Sequence, residues 1–302
     1  MKVTLENRAK LACLYAGLVW GLFWIPIRML EDAGIHGLWI TVVYFLVPAI
    51  CLVPLSVWRF RYIKVGGLRL QITAMLAGVA LLLYTMSIVY TEVVHALLLF
   101  YLTPLWGTIL ARIYLREEIT PQRLSAMVIA IIGALTIFGL GVQFPMPQNV
   151  GDWMGLSAGM LWAIASLRIN IFKEASAKEL TLGFFFWSLV FSTLAAFIIS
   201  PTHVPAISQI LPTLPFVILF TLVLILPSTF AFLWGPKFLS PGIVGLLFMT
   251  EIVTGSISVA LLSGEPFGTR EVIGTLLIIG ASLIEPINSL IGRERFFRFP
   301  RN

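Results

Sequence analysis

One carboxylate stands where lipid is expected. Glu251 lies eleven residues from each end of an apolar stretch running from Ser240 to Leu262. An ionised acid at the middle of a bilayer costs several kcal/mol unless it faces water or a partner. Two roles meet that condition: a site for a substrate amine or a proton, and a protonated glutamate hydrogen-bonded between helices. Glu285 lies only two turns from Arg293 and Arg295 and reads as a structural partner for them. His95 opens another apolar run, and its charge changes near neutral pH. It fits a proton gate, and equally a polar residue at the outer interface sharing a helix face with Glu92. Trp20, Trp162, Tyr84, Tyr101 and Trp106 fall inside apolar runs, where flat faces can stack on an aromatic or cationic ligand or simply pack. Trp39, Trp58 and Trp153 stand at run ends, as interfacial anchors do. Ser157 sits in Gly155-Leu156-Ser157-Ala158-Gly159, the pattern of a nucleophile elbow, with His95 as the candidate base. That motif needs a strand, a sharp turn and a helix, whereas here it lies within an apolar run; an intramembrane serine hydrolase is the alternative outside transport. Arg28 has Glu31 and Asp32 three and four residues on, and Arg168 is expected to snorkel to an interface. A substrate carboxylate would therefore have to be held by helix termini, hydroxyls or water.

The elements that must position these residues follow from composition. Of 302 residues, 59% are hydrophobic and 11% charged, with a mean hydropathy of +0.98. A soluble domain carries about 25% charge, so the solvent for most of this chain is lipid and the expected class is an all-α polytopic membrane protein. Cys13 and Cys51 lie in apolar runs away from His or carboxylate clusters, suggesting neither a disulfide framework nor a metal site. No Walker sequence or other cofactor motif appears, and no cofactor is expected. The net charge of +6 comes from short clusters between apolar runs, not from a nucleic-acid-binding stripe.

Stretches of about 20 apolar residues occur at 11–30, 37–57, 68–90, 93–111, 122–141, 153–171, 180–199, 214–235, 240–262 and 270–291, which predicts ten spans. The 57 residues from Leu180 to Pro236 contain no Asp, Glu, Lys or Arg. At 1.5 Å per residue they must fold back, and the prolines at 201, 205, 212 and 215 mark the place. The first run lacks a small-residue cleavage site and is expected to be a retained helix. With ten spans, 18 of the 20 Lys and Arg residues fall on one side, against Arg28 and Arg270 on the other. The positive-inside rule then puts both termini in the cytoplasm. No loop is long enough for a soluble catalytic domain.

A shift of 142 residues aligns Ala16-Gly17-Leu18-Val19-Trp20-Gly21 with Ala158-Gly159-Met160-Leu161-Trp162-Ala163. A shift of 147 aligns Thr103 with Thr250, Glu118 with Glu265, Arg123 with Arg270 and Gly133 with Gly280. Two five-helix repeats, 1–147 and 148–302, are expected. With an odd span number each must be inverted relative to the other, which typically places a substrate site near the midplane between them. Gly17-x-x-x-Gly21 and Gly155-x-x-x-Gly159 provide small faces for close helix packing. Pro26, Pro104 and Pro227 are expected to weaken spans 1, 4 and 8 locally.

The Leu18-Val19-Trp20-Gly21 and Met160-Leu161-Trp162-Ala163 segments resemble the two EamA domains of the drug/metabolite transporter superfamily. So do Leu99-Phe100-Tyr101-Leu102-Thr103-Pro104 with Glu118, and Gly264-Glu265-Pro266 with Gly274 and Gly280. Tyr101-Leu102-Thr103-Pro104 and Trp162 are most similar to the bacterial aromatic amino acid exporters. One departure is Glu251, which stands where the family commonly has proline. The resemblance implies a ten-helix exporter in a bacterial inner membrane, without enzymatic activity, moving amino acids including aromatic ones, with drugs or nucleotide sugars as the other substrate classes. The residues expected at its substrate site are Trp20, Tyr84, His95, Tyr101, Trp162 and Glu251. Its partners are the small-molecule substrate and the lipid bilayer, with no nucleic acid.

Overall fold

The computed structural model describes residues 4–91, 93–138, 147–262 and 268–296, with side chains for all of these but 89, 93–95, 138, 283 and 285–296. In lipid every backbone N–H and C=O must find its partner within the protein, which leaves helices as the simple solution for apolar runs of this length. All regular elements among the described residues are helical. They are α1 (Leu5–Trp20), α2 (Trp24–Asp32), α3 (Leu38–Trp58), α4 (Phe60–Tyr90), α5 (Val93–Phe100), α6 (Thr103–Leu110), α7 (Pro121–Phe138), α8 (Val150–Ile171) and α9 (Ala177–Ile199). The short α10 (Ile207–Ile210) follows, then α11 (Leu214–Phe220), α12 (Leu226–Trp234), α13 (Pro241–Phe248), α14 (Thr250–Leu262) and α15 (Thr269–Phe296).

Eight stretches of the described residues are long and apolar enough to cross a membrane, so the protein is a multi-pass membrane protein. They begin with Leu5–Asp32, Leu38–Trp58, Phe60–Ile88 and Ala96–Leu115, and continue with Val150–Ile171, Ala177–Ile199, Leu214–Lys237 and Pro241–Leu262. The runs expected as spans 5 and 10 coincide with α7 and α15, which pack against each other. Their contact is close because both helices offer glycine: a Cβ on Gly133 would stand 2.8 Å from the Gly274 carbonyl. The uncharged run from Leu180 to Pro236 does fold back at the prolines, between α9 and α11.

Several boundaries differ from the hydropathy reading. Most of the basic segment expected as the second loop is helical, since α4 starts at Phe60 and turns through Gly67, whose φ of 54° suits glycine. Trp58 and Trp153 are exposed at helix ends as interfacial anchors would be, at 74% and 58%. Trp39 instead is buried: its indole N–H donates to the Ser200 carbonyl at 2.9 Å and its ring meets Phe197 edge-on. A span end that packs on another span end is not a lipid interface, and the sequence position alone does not distinguish the two.

Hydrogen bonds join residues 1–147 to residues 148–302 at both ends of the bundle. At the end rich in Lys and Arg, Arg59 pairs with Glu179. Nearby, Arg168 donates to Thr73 Oγ1 at 3.1 Å and to the Arg69 carbonyl at 3.3 Å, and Arg123 donates to Ser240 Oγ at 3.3 Å. Toward the opposite end, Trp24 donates to Ser258 at 2.9 Å, Gln209 to the Gly34 carbonyl at 3.0 Å, and Thr91 to the buried Asp152 at 2.6 Å. Arg28 reaches Glu31 and Asp32 at 3.9 Å each, as its spacing predicts.

Candidate functional site

Four of the spans are not regular α-helices. Span 1 breaks at Gly21–Phe23, between α1 and α2; span 4 at Tyr101–Leu102, between α5 and α6; and span 8 passes through a π-helical turn at Thr221–Ile225, between α11 and α12. Each irregularity lies one turn before a proline, Pro26, Pro104 or Pro227, because proline lacks the N–H and its ring clashes with the carbonyl four residues earlier. Span 9 breaks too, at Met249 between α13 and α14, with no proline to cause it.

The breaks in spans 4 and 9 share one geometry, offset by 147 residues. Leu102 N–H bonds to the Leu99 carbonyl at 3.4 Å, and Met249 N–H to the Leu246 carbonyl at 3.3 Å. One turn on, Leu105 N–H bonds to the Leu102 carbonyl at 2.9 Å, and Ile252 N–H to the Met249 carbonyl at 3.1 Å. Thr103 Oγ1 donates to the Phe100 carbonyl at 2.6 Å, and Thr250 Oγ1 to the Leu247 carbonyl at 2.8 Å. The same shift superposes Phe248 on Tyr101 and Glu251 on Pro104.

The two small-residue faces seat these breaks. A Cβ added to Gly17 would overlap Thr250 Oγ1, and one added to Gly21 would stand 2.5 Å from the Glu251 carbonyl. In the other half a Cβ on Gly159 would stand 2.5 Å from the Phe100 carbonyl and 3.0 Å from Thr103 Oγ1. Gly159→Val is therefore expected to destabilise the protein by at least about 1–3 kcal/mol, since the obstructing atoms are backbone. A fall in the detergent melting midpoint checks this, and an unchanged midpoint would contradict the packing argument.

Between the breaks lies a cavity of about 20 Å³, lined by Phe100, Tyr101, Thr103, Trp162, Phe232, Gly245, Phe248 and Glu251. That is room for about one water, so a larger ligand requires the halves to part. Glu251, in the first turn of α14, is the charged residue of this lining and is half-buried. The hydroxyls of Tyr84 and Tyr101 are the neighbouring polar groups that act on its carboxyl. Trp162 stacks on Phe232 at 3.8 Å and 16°, and Phe232 stacks on Phe248 at 4.7 Å and 16°. Trp20 meets the same Phe232 at 5.7 Å. The indole N–H groups of Trp20 and Trp162 are buried without a hydrogen-bond partner, which is costly unless a ligand or water takes them.

Of the six residues expected at a substrate site, Tyr101, Trp162 and Glu251 line the cavity, Tyr84 reaches it through the carboxyl, and Trp20 packs behind Phe232. The side chains of His95 and Glu285 lie outside those described, as does the whole of Glu265. Glu251 lies in the first turn of α14, directly after the break at Met249, not at the middle of a continuous helix. Phe100, Thr103, Phe232, Gly245 and Phe248 complete the lining, and the sequence does not mark them as site residues. Phe248 is legible as the repeat counterpart of Tyr101, whereas Phe232 lies in a run of apolar residues with nothing to distinguish it. Ser157 sits in the interior of the continuous α8, so the Gly155–Gly159 pattern forms no strand-to-helix elbow. Ser157→Ala is expected to leave transport intact; abolition of an esterase or peptidase activity by this change would revive the hydrolase reading.

A bundle of membrane helices, several of them broken around one internal cavity, defines a polytopic membrane protein. Residues 7–139 match the EamA-like transporter family. Among solved structures, one titled "Crystal structure of protein" is similar to the protein with a TM-score of 0.70 at 16% identity, over 91% of this chain and 97% of that one. That likeness shows the fold. Among curated proteins none matches the sequence.

Proposed function

We propose that the protein exports amino acids, aromatic ones included, across a bacterial inner membrane by alternating access between two inverted five-helix halves, 1–147 and 148–302. In this reading α7 and α15 complete ten spans, and the excess of Lys and Arg at one end puts both termini in the cytoplasm. The observation that carries the proposal is the cavity at the paired breaks of spans 4 and 9, walled by Phe100, Tyr101, Trp162, Phe232 and Phe248 and carrying the Glu251 carboxylate. Discontinuous helices around a site between repeats are the usual architecture of alternating access. The cross-bonds at the two ends then belong to two gates: the Arg59, Arg168 and Arg123 contacts open for loading, and the Trp24, Gln209 and Thr91 contacts open for release.

The same walls suit a cationic drug, which is the second reading. A nucleotide sugar is disfavoured because none of the lining residues is Lys or Arg, and a diphosphate is ordinarily held by such groups. Proteoliposome counterflow separates the readings: labelled phenylalanine or tyrosine is expected to accumulate with the protein and not in empty vesicles. Failure of a panel of amino acids, with movement of a cationic drug or a sugar nucleotide, would overturn the substrate assignment.

A further inference from the structure

We infer that the cavity at the two helix breaks is an organic-ammonium site: Glu251 supplies the counter-charge, the ring faces of Trp162, Phe232 and Phe248 supply the walls, and the ligand's own carboxylate is not required. This rests on the reading of that cavity as the substrate site and names the chemistry it selects.

Three observations carry it. The first is charge. Glu251 is an acid in a lining that holds no Lys, Arg or His; an anionic ligand group would meet a like charge, whereas a protonated amine meets its opposite. Secondly, the walls are aromatic. Aromatic rings attract ammonium groups, most strongly tryptophan, and Trp162, Phe232 and Phe248 line the same cavity as the Glu251 carboxyl. Finally, the polar groups are allotted unevenly. The polar groups beside the carboxyl, the Tyr84 and Tyr101 hydroxyls, are neutral and leave the carboxylate acceptor capacity for an N–H donor. The unpartnered Trp162 N–H is a neutral donor, which an amide or hydroxyl oxygen can also satisfy. Nothing described at the site pairs a substrate carboxylate with a cation.

The test is binding to the purified full-length protein, because uncharged amines cross bilayers unaided. Calorimetric titrations near neutral pH would use phenylalanine, phenylalaninamide, phenethylamine and N-acetylphenylalanine. Phenethylamine and phenylalaninamide are expected to bind at least as tightly as phenylalanine, and N-acetylphenylalanine about tenfold or more weakly. Glu251→Gln is expected to weaken phenethylamine by about tenfold or more, with Glu251→Asp retaining most of the affinity. Binding of N-acetylphenylalanine as tight as that of phenethylamine, absence of binding by either amine, or a tenfold preference for phenylalanine over its amide would each overturn the inference. Amine binding without counterflow of any amino acid would leave the ammonium site standing and remove the export of amino acids instead.

Discussion

Glu251→Gln is expected to raise the concentration of amine-bearing substrate needed for half-maximal counterflow about thirtyfold, with little change in the melting midpoint of the purified protein. A hydrogen bond to a charged partner contributes about 1.5–3 kcal/mol, and about 2 kcal/mol corresponds to thirtyfold in an equilibrium constant. Stability is spared because the amide keeps the volume of the carboxyl, and its oxygen still accepts from a Tyr84 or Tyr101 hydroxyl. Counterflow measured against substrate concentration and external pH, together with thermal melting in detergent, checks both halves of this expectation. The wild-type dependence on pH should flatten in the variant if this carboxyl exchanges a proton for the substrate amine. An unchanged rate and pH profile would reduce Glu251 to a packing residue.

Phe232→Ala is expected to have the largest effect on both stability and selectivity. Phe232 meets each of Trp20, Trp162 and Phe248, with centroid separations of 5.7, 3.8 and 4.7 Å. Truncating a core phenylalanine costs about 3–5 kcal/mol when the site cannot collapse; Phe232 is only half-buried, so about 3 kcal/mol is expected. Removal also empties ring volume into the cavity of about 20 Å³. Phenylalanine should then compete less well, and bulkier amines better, than in the wild type. Phe232→Leu separates the two causes. It restores most of the volume but not the π face, so melting should recover while the aromatic preference does not. Recovery of both by leucine would show that the stack acts through shape alone.

Several of these residues are legible in the sequence. Glu251 is visible there as an acid in an apolar run, since lipid makes such a group expensive. Trp20 and Trp162 are visible as a symmetric pair, and both meet on one ring in the fold. Tyr101 stands one turn before Pro104, which weakens the helix there. Phe232 is not legible, because in an apolar run a cavity-lining phenylalanine and a lipid-facing one have the same neighbours in sequence. Trp39 misleads for a related reason: its position at a span end fits lipid headgroups, but Ser200 and Phe197 cover it.

The sequence by itself determined that the chain lives in lipid and is helical, because apolar runs of this length have no other means of satisfying their backbone there. It also determined where spans 1, 4 and 8 weaken, since proline acts within one turn of its own position. Tertiary structure decided the break in span 9. No proline stands there; Gly17 of α1 and Gly21 at the span-1 break bring backbone against Phe248, Thr250 and Glu251, and only a partner segment without side chains permits that approach. It also decided what surrounds Glu251. Its partners Tyr84 and Tyr101 lie far away along the chain, and only the packing of α4 and the span-4 break against the start of α14 turns an isolated acid into a carboxyl held among aromatic rings.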